Sequence, residues 1–447
     1  MRKTAFRMAA GLLALMLGAA ACGGSSGGSG SKSGNNNNNA GGNVPGVTAT
    51  TITIGSHQPL TGPAAPGYSE IAPSAKAMFD YINKNGGING RKIIYKYLDD
   101  GYNPTNTVSV VRELVLQDNV FAIFNGLGTP THEKVVDFLN QQKVPDLFVA
   151  SGCKCWNDPK QHPYTFGFQP EYTVEGAVMG KYIADNLKGK KIAYFYQNDD
   201  FGKDGVEGLD KYIPASQVVA RTTYTTSNTD LTSQVSQMKS KGADVVVSFS
   251  IPAFTALLKL NMLKAGWNPE IYVSNVGSDP VTLSGLLEAF AKKGGATVQG
   301  NQLIQGLHTN AYLPPYGAST NDKWVALFKK VHDQAGLPFA FDGNVEYGMS
   351  AAWSFAEVVK KAGKNFTRDS FVKAAEETNF QGPGLVQLKF SPDNHAGFQG
   401  TQMGTIQGDT IVLQGQPEDV DSSLNVTTSS YKEASPADAG LLPSSAL

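Results

Sequence analysis

Cysteine is scarce, with three residues in 447, which rules out a disulfide-built scaffold. A surplus of positive charge is absent: 37 Lys and Arg stand against 38 Asp and Glu, a formal net charge of −1. No overall field therefore exists to hold phosphate backbone, and no nucleic-acid partner is expected. After the N-terminal segment no stretch approaches the roughly 18 charge-free apolar residues needed to cross a bilayer, since even Val245 to Leu258 contains Ser248, Ser250, Pro252 and Thr255. Catalytic motifs are incomplete. Gly348-Met-Ser350-Ala-Ala352 lacks the last glycine of a nucleophile elbow, and Gly126-Leu-Gly128 lacks the third glycine of a dinucleotide fingerprint. The six histidines show no H-E-x-x-H spacing, and His132, beside a strand-end loop, reads as a cap or a pocket-lining residue. No cofactor, metal or enzymatic activity is expected. What is abundant is glycine, 49 residues or about 11% against a usual 7% or so. The length predicts two or three compact units, and 41% hydrophobic residues suffice to fill them.

Part of the glycine lies near the N-terminus. Arg2, Lys3 and Arg7 precede an uncharged stretch, Met8 to Ala21, too short to span a membrane and suited to a signal peptide over residues 1–21. It runs Leu17-Gly-Ala-Ala-Ala21 into Cys22, which resembles the lipobox of bacterial lipoproteins. That resemblance implies cleavage before Cys22 and lipidation of its sulfur, placing the protein on the extracytoplasmic face of the membrane; an ordinary secretory signal is the alternative. Residues 22–46 are dominated by Gly, Asn and Ser and read as a tether. Residues 416–447 are polar, show no sustained period, and are expected to lie outside the core.

Between them, β-branched and aromatic runs alternate with helical patterns. Strand-like runs are 51–56, 92–98, 120–125, 146–150, 191–197, 218–224, 244–250 and 270–275. The alternation predicts an α/β fold of parallel sheets covered by helices. More than one sheet is needed for so many strands, so two doubly wound lobes flank a cleft, with the break falling at 163–171. Ligands of such sheets bind beyond the carboxyl ends of the strands. Here those ends are followed by loops of small and hydroxyl residues: His57 to Pro63, Gly126-Leu-Gly-Thr-Pro130 and Ser151-Gly152.

These segments resemble the substrate-binding proteins of ABC importers for branched-chain amino acids, over roughly Thr51 to Leu413. The likeness rests on Thr51-Ile-Thr-Ile-Gly55 with Leu60-Thr-Gly-Pro63, Ile82-Asn-Lys-Asn-Gly-Gly-Ile-Asn-Gly-Arg91, Leu98-Asp-Asp100 with Pro104, Val144-Pro145, and Tyr196-Gln-Asn-Asp-Asp-Phe-Gly202. It implies a type I periplasmic binding fold with three crossovers, one lobe from 48–168 plus 309–384 and another from 169–308 plus 385–415. It further implies a monomer that closes on a small ligand and delivers it to a membrane permease. A lipoprotein receptor that senses ligand without importing it is the alternative. Carried over by position, the carboxylate site falls on Leu127, Thr129, Ala150, Ser151 and Gly152, with Tyr68 as an aromatic lining residue. In the second lobe Phe201 occupies an aromatic position, and Ile251 and Val276, beside Asn275, stand where leucine-type members carry a tyrosine and an ammonium-binding acid. Asp279 precedes Pro280 and reads as a helix cap. A site without a carboxylate disfavours an α-amino acid, so a hydrophobic or aromatic acid, or an amide, fits as well as leucine. If Cys22 is lipidated, Cys153 and Cys155 remain as an even pair, either a short disulfide or two free thiols. Zinc with His162 lacks further ligands at suitable spacing.

Overall fold

A computed structural model describes residues 44–317 and 321–447. The expected signal peptide, Cys22 and nearly all of the expected tether lie outside the described residues. None of the described helices is long and apolar enough to cross a membrane.

The first sheet is built from β1 (Thr51–Gln58), β2 (Lys92–Asp99), β3 (Ile123–Phe124), β4 (Asp146–Val149) and β5 (Thr165–Gly167). Its order is β2-β1-β3-β4-β5 and every pairing is parallel. Helices Ile71–Lys84 and Gly343–Ala362 pack together beside it, and their apolar faces meet the strands through Phe79, Tyr95, Phe124 and Phe355, edge to face.

The second sheet begins with β6 (Ile192–Gln197), β7 (Val218–Tyr224), β8 (Val245–Phe249), β9 (Glu270–Val273) and β10 (His308–Ala311). These run parallel in the order β10-β9-β8-β6-β7. After the hairpin β11 (Leu388–Ser391) and β12 (Asn394–Phe398), the chain returns as β13 (Gly400–Gln407), β14 (Thr410–Leu413), β15 (Glu418–Val420) and β16 (Val426–Thr428). These join antiparallel, so the second sheet is mixed where the alternation predicts a parallel one. The segment expected to be an irregular break holds β5, fully buried, because a three-residue strand is too short to show a period.

The C-terminal segment differs most from expectation. β15 and β16 extend the second sheet, and the chain then crosses back to the first lobe, where Leu441, Leu442 and Ala446 are buried. Its anchors are main-chain carbonyls: Tyr81 Oη donates to Ala446 O, and Trp324 Nε1 donates to Ala434 O at 2.7 Å. A segment fixed through its backbone carries no hydrophobic period to read. It makes a fourth passage between lobes beyond the three that the resemblance implies.

Helices Tyr172–Asn186 and Asp200–Asp210 pack at backbone contact. A Cβ on Gly208 would lie 2.2 Å from Thr173 O and 2.7 Å from Ala177 N, both rigid main chain. Gly208→Ala is therefore expected to cost roughly 1–3 kcal/mol by overpacking, despite its gain in helix propensity. Gly285, on helix Pro280–Lys293, has nothing within 4 Å of its Cβ position. There the same substitution should stabilise by up to about 1 kcal/mol. Paired urea titrations check the opposite signs.

Candidate functional site

A cavity lies between the two sheets and encloses about 1010 Å³ of empty space, mouth included. The first lobe lines it with Tyr68, Ile71, Tyr102, Leu127, Thr129 and Ala150, and the second with Phe201, Ile251, Asn275, Val276 and Asp279. The 310–316 crossover and the start of helix Gly343–Ala362 complete the wall. Of the residues expected from sequence, Tyr68, Leu127, Thr129, Ala150, Phe201, Ile251, Asn275 and Val276 meet at this cavity. Ser151 and Gly152 stand behind it: Ser151 Oγ is 2.7 Å from Thr129 Oγ1, and Gly152 O accepts from Tyr172 N at 2.6 Å. The loops meet because parallel strands end on the same side of a sheet.

Contacts across the cleft hold the two lobes together. Tyr68 Oη donates to Val276 O at 2.6 Å, and Lys154 N donates to Asp204 Oδ2 at 2.9 Å. Lys154 sits between Cys153 and Cys155, which are joined as a disulfide. Asp279 caps helix Pro280–Lys293 through Thr282 N at 2.8 Å. Its other oxygen accepts from Tyr316 Oη at 2.8 Å and Gly343 N at 3.0 Å.

Sequence reasoning missed most of the aromatic lining and one carboxylate. Tyr102, Tyr172, Tyr312, Tyr316 and Tyr347 join Tyr68 around the space, and burial pushes the phenols of Tyr68, Tyr102, Tyr172, Tyr312 and Tyr347 upward. Glu346 also lines it and is 2% exposed. The reading of a site without a carboxylate is thus corrected. The acid was sought at the second-lobe strand ends, whereas Glu346 comes from a helix of the first lobe. No Lys, Arg or His is among the described lining residues.

Beneath the 126–129 loop lies a second buried network. Asp100 Oδ2 is 2.8 Å from His57 Nδ1, His57 Nε2 is 2.9 Å from His132 Nδ1, and His132 Nε2 is 2.8 Å from Asp146 Oδ2. All four side chains are 0% exposed. His132 therefore neither caps a helix nor lines the cavity. Three contacts need three protons, one more than two neutral imidazoles supply. Gly126 leaves room for this chain, since a Cβ there would lie 2.6 Å from His57 Nε2.

Comparison with known proteins agrees with this architecture. Residues 51–410 match a family model described as periplasmic binding protein. Leu/Ile/Val-binding protein homolog 3 of Brucella melitensis is 29% identical over 231 residues, 48% of this chain and 58% of that protein. Leu/Ile/Val-binding protein BraC3 of Rhizobium johnstonii is 25% identical over 209 residues, 44% of this chain and 53% of that protein. The chain thus spans a little over half the length of the curated relatives it matches. Among solved structures, a fatty acid ABC transporter substrate-binding protein from Thermomonospora curvata aligns with a TM-score of 0.69 at 21% identity, covering 85% of this chain and 95% of that one. A branched chain amino acid ABC transporter protein from Thermus thermophilus with bound valine aligns with a TM-score of 0.71 at 19% identity, covering 82% and 96%. Identities this low speak to the fold alone. With two α/β lobes around a shared cavity and a family match over most of its length, the chain belongs to the periplasmic binding protein family.

Proposed function

We propose that the protein is an extracytoplasmic, lipid-anchored substrate-binding protein. It captures a small, largely apolar ligand by lobe closure and hands it to an ABC importer. The ligand class is a branched-chain or other hydrophobic amino acid, or a related carboxylate or amide. The observation that carries this reading is the cavity, whose walls come in comparable part from both lobes, so that a complete site exists only when they meet. Ligand contacts available only in that arrangement select it. The names of the relatives and the export signal point to the same role, and Cys22 would be the anchor.

A thermal-shift screen of hydrophobic amino acids, aromatic acids and amides tests it, because a ligand bound only by the folded state raises the melting temperature. Small-angle scattering with the strongest hit should show compaction; an unchanged radius of gyration would sink the closure mechanism. Tyr68→Phe removes the hydroxyl that bridges the lobes and leaves Val276 O short of a donor. Ligand affinity should fall roughly tenfold, in keeping with about 1–3 kcal/mol for a buried unpaired acceptor. The melting temperature without ligand should barely move.

A further inference from the structure

Outside the cavity, the turn Cys153-Lys-Cys155 gathers a donor set that the ligand site does not use. Its two sulfurs and a carboxylate oxygen of Glu133 all lie within 4.8 Å of one another. Glu133 is held at the end of the short helix Thr129–His132 by its N–H, which donates to Thr129 O at 3.1 Å. Its Oε1 is buried and has no hydrogen-bond partner among the described residues, although buried acceptors are normally satisfied. Cys153 is 2% exposed, whereas Cys155 is half-buried and can be reached from solvent. Lys154, between them, pairs its ammonium with Glu207 and Asp204 of the second lobe. Around Glu133, Asp199 and Asp200 are opposed by Lys134 and Lys203, so no excess of positive charge keeps a cation out. The two sulfurs are bonded to each other in the structure, and only as thiolates do they become metal ligands.

We propose that, once reduced, Cys153, Cys155 and Glu133 bind a zinc-class divalent cation, so that the turn alternates between a disulfide and a metal-bound dithiolate. The reductant is a dithiol. One of its thiolates attacks the half-buried Cys155 sulfur and expels Cys153 as a thiolate; its second thiol then displaces Cys155 and closes the reductant's own disulfide. Two electrons pass to the turn, and the cation takes the place of the two thiol protons. Two thiolates and a carboxylate suit a borderline-soft ion with water as its fourth tetrahedral ligand, whereas calcium and magnesium take oxygen throughout. Ligand atoms about 2.0–2.3 Å from zinc stand roughly 3–4 Å apart, so the Glu133 oxygen is already within reach of both sulfurs. Lying at the Lys154–Asp204 contact, the site ties the turn that joins the lobes to redox state and metal supply.

The test uses the full chain carrying Cys22→Ser, which removes the one remaining cysteine. It is reduced with a phosphine, freed of reductant without air, and titrated with Cd²⁺ and, separately, Zn²⁺. The reduced chain should bind one ion of either kind, release protons and melt at a higher temperature with the ion present, and with Cd²⁺ it should show a thiolate-to-metal charge-transfer absorption. The unreduced chain should do none of these. Glu133→Gln should weaken binding on the order of 10-fold or more, at least what loss of an outer-shell partner costs. Replacing both cysteines by serine should abolish the absorption. A disulfide that resists the phosphine, a reduced chain without the absorption, equal affinity in the unreduced chain, or unchanged affinity in Glu133→Gln each overturns the three-ligand site. None of these outcomes touches the proposed function, because no organic ligand enters the titration.

Discussion

His132→Ala should be the most damaging single change beneath the binding loops, costing about 3–5 kcal/mol as expected for breaking a buried charged network on one side. It strands His57 Nε2 and takes from Asp146 its 2.8 Å partner, leaving Thr165 Oγ1 at 3.0 Å as the remaining contact to that oxygen. It also opens a gap beside Trp156, whose ring stands perpendicular to the imidazole with centroids 5.1 Å apart. Asp100 suffers less, since Tyr102 N and Thr107 Oγ1 still donate to it at 2.8 Å. The asymmetry gives the experiment its control. With His57→Phe and His132→Phe made singly and together, the double variant should lose less than the sum of the singles, because both nitrogens of the central contact then disappear. A coupling of 0.5 kcal/mol or more is expected on the order observed for residues in direct contact. Urea denaturation measures it, and strictly additive losses would show that the network does not act as a unit. Ligand affinity should fall as well, because His132 ends the short helix that begins at Thr129.

This network also marks where sequence reading stops. Its four members are separated by 43, 75 and 14 positions along the contacts, so no local spacing announces them. Apart from β5, the strands of the first 280 residues were legible because each lies in a run of apolar or β-branched residues with a loop at its end, as in Val245–Phe249, buried throughout. β11 to β16 were not: they are mostly short, antiparallel and polar or glycine-bearing, and the pairing partner rather than their own composition stabilises them. The binding loops could be read for the same reason as the strands, since Leu127, Thr129 and Ala150 follow directly on strand ends. Glu346 could not. It is one position on a 20-residue helix whose other residues are largely buried, and its place in the cavity follows from how that helix packs against Ile71–Lys84. The tyrosines of the 310–316 crossover escaped likewise, because a crossover has no period. Low-contact, chain-local features are visible in sequence; features made by several distant segments arise only at the packing stage.

The protein should be most stable near pH 5 and lose stability steadily toward pH 8. Burial shifts many carboxyls upward, among them Glu70 and Asp204 to about 7, and Glu175, Glu357 and Glu433 to about 8. Against ordinary values of 4.5 for Glu and 3.8 for Asp, the folded chain holds protons that the unfolded chain has already released. Unfolding therefore expels protons throughout the window from the ordinary values to 7 or 8, and raising the pH across it favours the unfolded state. On the acid side the sign reverses for His395, which burial lowers from 6.5 to about 4. It contributes stability above 6.5 that is lost as the pH falls toward 4. The raised carboxyls outnumber the three histidines that burial lowers, His57, His308 and His395, so the maximum sits near the acid edge of the carboxyl window, at about pH 5. Buried Glu175 and Glu357, with half-buried Glu433, should account for most of the loss, several kcal/mol in all, equivalent to a fall in melting temperature on the order of 5–10 °C. Glu70 lies partly in solvent and contributes less. Calorimetry at pH 5, 6.5 and 8 follows the trend, and a melting temperature higher at pH 8 than at pH 5 would refute it. Glu357→Gln isolates one contributor: its Oε1 accepts from Gln381 N at 2.9 Å, a bond the amide oxygen of glutamine keeps. The variant should match the parent near pH 5 and exceed it at pH 8, where the parent must ionise a carboxyl that is 7% exposed.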